Sequence, residues 1–153
     1  MRQAARLSWL LPAILAVGCG ITRPSGPLAA AQAELTEARR LWRSQGLADY
    51  TYVLSRGCFC TPEYRDPATV TIRGGRVVSA VSVATGEARD LAWFEAIDGL
   101  FDSIQEAIDD GAAQVQAEYD PARGYPILVY IDIDQRLADE EISYEAKALT
   151  PIR

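Results

Sequence analysis

The sequence predicts an α+β domain: an antiparallel sheet of five or six strands with two helices packed on one face. Three observations carry that expectation. Two stretches show apolar residues at helical spacing, each is followed by three stretches of strand character, and two of the strands flank a Gly-Gly hairpin turn. The element order is therefore helix and three strands, then helix and three strands again. One helix cannot bury the apolar face of three strands well, so both units are expected in one domain, residues 28–153.

Taking the elements in order, Leu28, Ala31, Leu35, Ala38, Leu41 and Trp42 recur on one helical face, with Ser25 and Pro27 as a start signal and Gly46 as a stop. "YTYVLSR" then alternates, sending Tyr50, Tyr52 and Leu54 to one side and Thr51, Val53 and Ser55 to the other. In "ATVTIRGGRVVSAVSV", two β-branched runs flank Gly74-Gly75, both free to adopt the positive φ of a two-residue hairpin turn. Arg73 and Arg76 face each other across that turn. Like charges in that position repel, so they either splay into water or meet nearby carboxylates, or else they form a small anion grip.

The second helix is expected to present Trp93, Ile97, Leu100, Phe101, Ile104 and Ile108 on one face, with Asp90 as its cap and Gly111 as its end. "AQVQAEYD" alternates as a strand, "PARGYP" turns the chain, and "PILVYIDID" and "EISYEAKALT" supply the last two strands. No residue-by-residue repeat links the two halves. The duplication is one of element order only.

The N-terminus has a different character. Arg2 and Arg6 precede an apolar run from Leu7 to Val17 that is interrupted by Pro12 and ends in small residues before Cys19. That is the layout of a secretory signal peptide, residues 1–18; a bilayer span needs about 20 apolar residues, and this run is shorter. "LAVGC" resembles the bacterial lipobox, with Ala16 where that pattern prefers leucine. The resemblance implies lipidation of Cys19, with residues 19–27 as anchor and tether. Gly20 after the cysteine implies an outer-membrane address, facing the periplasm, in a Gram-negative cell. The competing expectation is simple cleavage after Gly18 and release as a secreted protein.

Charge and composition remove several functions. The chain carries 15 basic and 21 acidic side chains; without Arg2 and Arg6 the balance is about −8. Phosphate neutralisation, and with it nucleic-acid binding, is disfavoured. Histidine is absent, which removes imidazole bases and ligands. No cofactor is expected, and the chain is read first as a binding protein, its partner an envelope protein or peptide docked on the sheet face or hairpin ends; a carboxylate-pair hydrolase stands third, behind the thiol readings below.

Trp42, "YTY" at Tyr50 to Tyr52, "CFC" at Cys58 to Cys60, "IDGLFDSI" at Ile97 to Ile104, "YDPARGYP" at Tyr119 to Pro126 and the "DEEISYE" ending together resemble a family of secreted and lipid-anchored bacterial proteins of unknown function. That resemblance implies no catalytic residue. In architecture alone, the helix-plus-three-strands unit is also similar to periplasmic inhibitor and propeptide-type domains, which bind rather than catalyse.

With Cys19 acylated, Cys58 and Cys60 remain as an even pair. Residues i and i+2 of an extended strand lie about 6.6 Å apart, so a bridge between them needs a bend, which Gly57 and Pro62 permit. The expectations are a local disulfide that shapes the loop, a reducible pair with redox function, a two-thiolate grip on a soft metal, or buried free thiols. The carboxylates Asp132, Asp134, Asp139, Glu140 and Glu141 near the last hairpin lack the spacing of a calcium loop, and are expected to form a solvated acidic turn. Asp109 and Asp110 sit at the wrong end of their helix for its dipole, which points them at water or a partner. No metal site is expected.

Overall fold

A computed structural model describes residues 26–153, so the signal segment, Cys19, the tether and Ser25 lie outside the described residues. The elements are α1 (Pro27–Ser44), β1 (Tyr50–Gly57), α2 (Pro62–Arg65), β2 (Ala68–Arg73), β3 (Arg76–Ser82), a 3-10 turn (Leu91–Trp93), α3 (Ile97–Asp109), β4 (Gln114–Tyr119), β5 (Pro126–Asp132) and β6 (Ile142–Pro151). The six strands form one antiparallel sheet in the order β3-β2-β1-β6-β5-β4. The predicted class and sheet size are those observed, with the short α2 and the 3-10 turn as additions.

Each unit contributes three adjacent strands, and the two units join through β1 and β6, the first strand of one against the last of the other. The units therefore do not meet through equivalent strands, in keeping with a likeness of order only. Nor does each helix cover its own strands. Helix α1 packs on β4 and α3, and α3 packs on β4 and β5, so both helices serve the second half of the sheet. Over the first half the layer is completed by Trp42, the segment around Phe94 to Ile97, and the 3-10 turn against β3.

The strand alternation works as the residue pattern dictates. Tyr50, Tyr52 and Leu54 of β1, Val70 and Ile72 of β2, Val129 and Ile131 of β5, and Tyr144 and Ala146 of β6 are buried beneath Leu35, Trp42, Ile97, Leu100, Phe101 and Ile104. Burying a large apolar side chain of this kind contributes about 1.5–3 kcal/mol, which makes this single layer the main source of stability. Trp42 is its hub: its ring meets Tyr50 edge-on at 5.4 Å and Tyr125 at 6.3 Å. Among the described residues, the opposite face, with Thr51, Val53 and Ser55 on β1 and Thr69 and Thr71 on β2, carries no helix.

One expectation fails in detail. Trp93 is not on the buried face of the second helix; it lies in the separate 3-10 turn, 41 % exposed, and Asp90 caps that turn through Ala92 N–H at 3.0 Å. Helix α3 begins only at Ile97, after an extended Ala96. The break has a tertiary cause. The chain crosses the two tyrosines of β1 at this point, Tyr52 donating its hydroxyl hydrogen to the Glu95 carbonyl and Tyr50 accepting from Ile97 N–H at 2.9 Å. Those bonds hold the segment extended.

Candidate functional site

The connections β1 to β2, β3 to α3, α3 to β4 and β5 to β6 all leave the same end of the sheet, because Leu54 pairs Ala68, Ala68 pairs Ser82, and Gln114 pairs Asp132. Of the eight exposed large apolar side chains among the described residues, six lie in these connections: Phe59 at 82 %, Val83 at 57 %, Ile133 and Leu137 at 56 %, Trp93 at 41 % and Leu91 at 40 %. Apolar side chains scattered singly need no explanation, but their gathering at one end does.

The cystine loop belongs to this end. Strand β1 runs through Gly57, the chain bends, and Cys58 and Cys60 are bridged with Cα atoms 5.3 Å apart, inside the normal disulfide range. The bridge leaves Phe59 projecting at the tip. Behind it, Tyr64 of α2 packs its ring 3.9 Å from that of Trp93, tying the loop to the β3-α3 connection. A groove of about 230 Å³ separates the loop from the start of β6, walled by Cys58, Phe59, Tyr130, Glu141 and Ser143.

A polar cluster that the sequence reading missed supports this end from within. Arg56 continues the inward alternation of Tyr50, Tyr52 and Leu54, and its side chain is only 13 % exposed. Its guanidinium lies over the Tyr144 ring at 5.1 Å, donates to the Trp93 carbonyl at 3.2 Å and lies 4.0 Å from Glu95. Ser103 donates to Glu95 at 3.3 Å. The signal was available: an arginine at the fourth inward position of a strand must find a partner beneath the sheet. Burial, with Glu95 nearby, raises the Tyr144 hydroxyl above the usual tyrosine range. Burial likewise pushes Tyr50 up to about 12 and Tyr52 higher still, so these hydroxyls act as fixed hydrogen-bonding groups rather than acids.

The carboxylates collect at the same end. Residues 57–67, 83–96, 106–113 and 132–141 together carry thirteen acidic side chains and three basic ones. Asp134 is held below its ordinary value by Arg136, which binds it at 2.5 and 2.8 Å, and Glu140 accepts from Asp134 N–H at 2.6 Å. Asp132 is buried, with one oxygen lacking a protein partner. Among the described residues no three potential ligand groups converge as a metal site would require. Helix α3 ends Glu106, Asp109, Asp110 with no basic residue in its last turn. Beside that turn a cleft of about 270 Å³ opens between α3, β5 and β6.

Arg73 and Arg76 lie at the opposite end. They pair in register as predicted, and both Gly74 (φ 55°) and Gly75 (φ 75°) are left-handed. Arg73 meets a carboxylate of the domain itself: Asp49 binds it at 3.3 Å and accepts Gly74 N–H at 2.7 Å. The backbone bond, ahead of the arginine, holds the Asp49 carboxyl below its ordinary value. Arg76 takes part in no ion pair among the described residues.

Fold and geometry define a two-layer α+β domain with a hairpin end where Arg73 meets Asp49 and an opposite, apolar and acidic end that carries a cystine loop. The chain belongs to the DUF6174 family of unknown function, whose model matches residues 34–151. No curated protein and no solved structure matches it.

Proposed function

We propose that the chain is an exported, lipid-anchored envelope protein whose domain binds a protein partner through the end of the sheet that carries the cystine loop. The observation that carries this reading is the gathering of Phe59, Val83, Leu91, Trp93, Ile133 and Leu137 at that one end. Apolar side chains grouped at the tips of connections, on a rigid sheet, have the anatomy of a binding surface. The Cys58–Cys60 bridge then acts as a shaping device: it fixes the bend that presents Phe59. The lipid anchor rests on the sequence at Cys19 and supplies membrane affinity that an acidic domain lacks.

A photo-crosslinking residue at Phe59, Val83 or Ile133 in living cells should give discrete adducts, and the same residue at Arg76 or Ala122, at the other end, should not. Adducts absent from the first set, or equal in both, would remove the reading. Intact mass of the membrane fraction tests the anchor: two or three acyl chains on Cys19 are expected, and an unmodified N-terminus there overturns it.

The second reading, a thiol-redox or soft-metal protein, draws on the half-buried cystine beside the open groove with Tyr130 and Glu141. Reduced protein that binds copper(I) or zinc, and loses it in Cys58→Ser, would favour it; a reduction potential below about −300 mV marks a structural bridge instead.

A further inference from the structure

We propose that the cleft between the last turn of α3 and strands β5 and β6 receives a lysine or arginine side chain of the partner protein. This inference rests on the binding reading above and names the partner's chemistry. The cleft has apolar walls, Ile131, Ile133 and Ile142, with Tyr144 within it and the carboxylates Glu106 and Asp110 among its lining. At about 270 Å³ it falls below the roughly 300–1,000 Å³ of small-molecule pockets, the size for a side chain rather than a cofactor. Apolar walls accept a methylene stem, and carboxylates accept its charged head.

The helix end that supplies these carboxylates points the same way. The C-terminus of a helix carries a partial negative charge that is ordinarily met by lysine or arginine. Helix α3 instead places Glu106, Asp109 and Asp110 there with no base in the turn, and neither Glu106 nor Asp110 joins an ion pair among the described residues. The helix end therefore carries negative charge that no base in its last turn meets, and a cation from outside can meet it. Charge also decides against the other surface an anchored domain meets. Thirteen acidic side chains around this end repel anionic lipid, whereas they attract a basic protein segment whose apolar residues meet Phe59, Ile133 and Leu137.

The test uses the purified full chain and four Ser/Leu peptides that differ in one central residue: lysine, arginine, glutamate or norleucine. The lysine and arginine peptides should bind at least about tenfold more tightly than the other two, with amide shifts concentrated in Ala107–Ala112 and Ile131–Ile133. The double change Glu106→Gln with Asp110→Asn should weaken them about tenfold, and the charge-matched Glu63→Gln with Asp66→Asn at the same end less than about twofold. Ile133→Lys, at an exposed position, should block the cleft with its own ammonium while the fold persists. Equal losses in both double variants, equal binding of the norleucine peptide, or shifts elsewhere would overturn the proposal, as would preferential binding of this end to anionic vesicles. If cell crosslinks form at this end but reach a partner segment without lysine or arginine, only this inference fails. If none form, the binding reading fails with it.

Discussion

Replacing Gly124 by alanine tests the closest approach in the fold. Gly124 adopts φ +81° in the turn between β4 and β5, and a Cβ built on it would lie 2.9 Å from Leu41 Cβ and from Trp42 N, and closer still to the Ala38 carbonyl oxygen. Two costs add. A left-handed backbone costs a residue with a Cβ about 1–2 kcal/mol, and overpacking against atoms that cannot rotate away costs about 1–3 kcal/mol. The obstructing atoms are helix backbone and a Cβ, so relief requires α1 itself to shift, with Trp42 on it.

Gly111→Ala separates the two costs. Gly111 is equally left-handed, φ +73°, and nothing lies within 4 Å of its Cβ position. Gly124→Ala should therefore lose about 2–5 kcal/mol and Gly111→Ala about 1–2. In urea, with a slope of about 2 kcal/mol per molar, the midpoint should fall by about 1–2.5 M for the first and by about 0.5–1 M for the second. If both variants lose the same stability within about 0.5 kcal/mol, the turn does not press on α1 and the packing argument is wrong.

Two further outcomes follow from the ionisable groups. Tyr50, pushed up to about 12, and Tyr119, also raised to about 12 by burial, keep their protons where the unfolded chain ionises near 10. The unfolded state then binds fewer protons, so stability is intact below about pH 10 and falls as pH rises from there through 12; the ring resonances of Tyr50 and Tyr119 should take on tyrosinate shifts together with unfolding, not before it. At the hairpin tip, Asp49 is depressed, so its contribution is present above its unfolded value of 3.8 and lost as pH falls through the folded one. The Gly74 amide resonance should shift with a midpoint below 3.8, and Asp49→Asn should abolish that titration.

The residue pattern alone determined the class of fold, the sheet's hairpins and most of its core, because helix and strand periodicities and paired glycines act within a few residues. Tyr50, Tyr52 and Leu54 could face only one way once alternation was set, and Gly74-Gly75 admits few turns. What lay out of reach was whatever depended on distant segments meeting. Trp93 has the spacing of a helix face, yet the Tyr52 hydroxyl donating to Glu95 and the Tyr50 hydroxyl accepting from Ile97 N–H hold the chain extended just after it. Arg56 was inward by alternation, but Tyr144, Glu95 and the Trp93 carbonyl reach it from three other elements. The acidic residues could be counted in the sequence. Only the joining of β1 to β6 brought four separate connections to one end and set those carboxylates among exposed apolar side chains, because strand order is fixed by long-range pairing that no local pattern encodes.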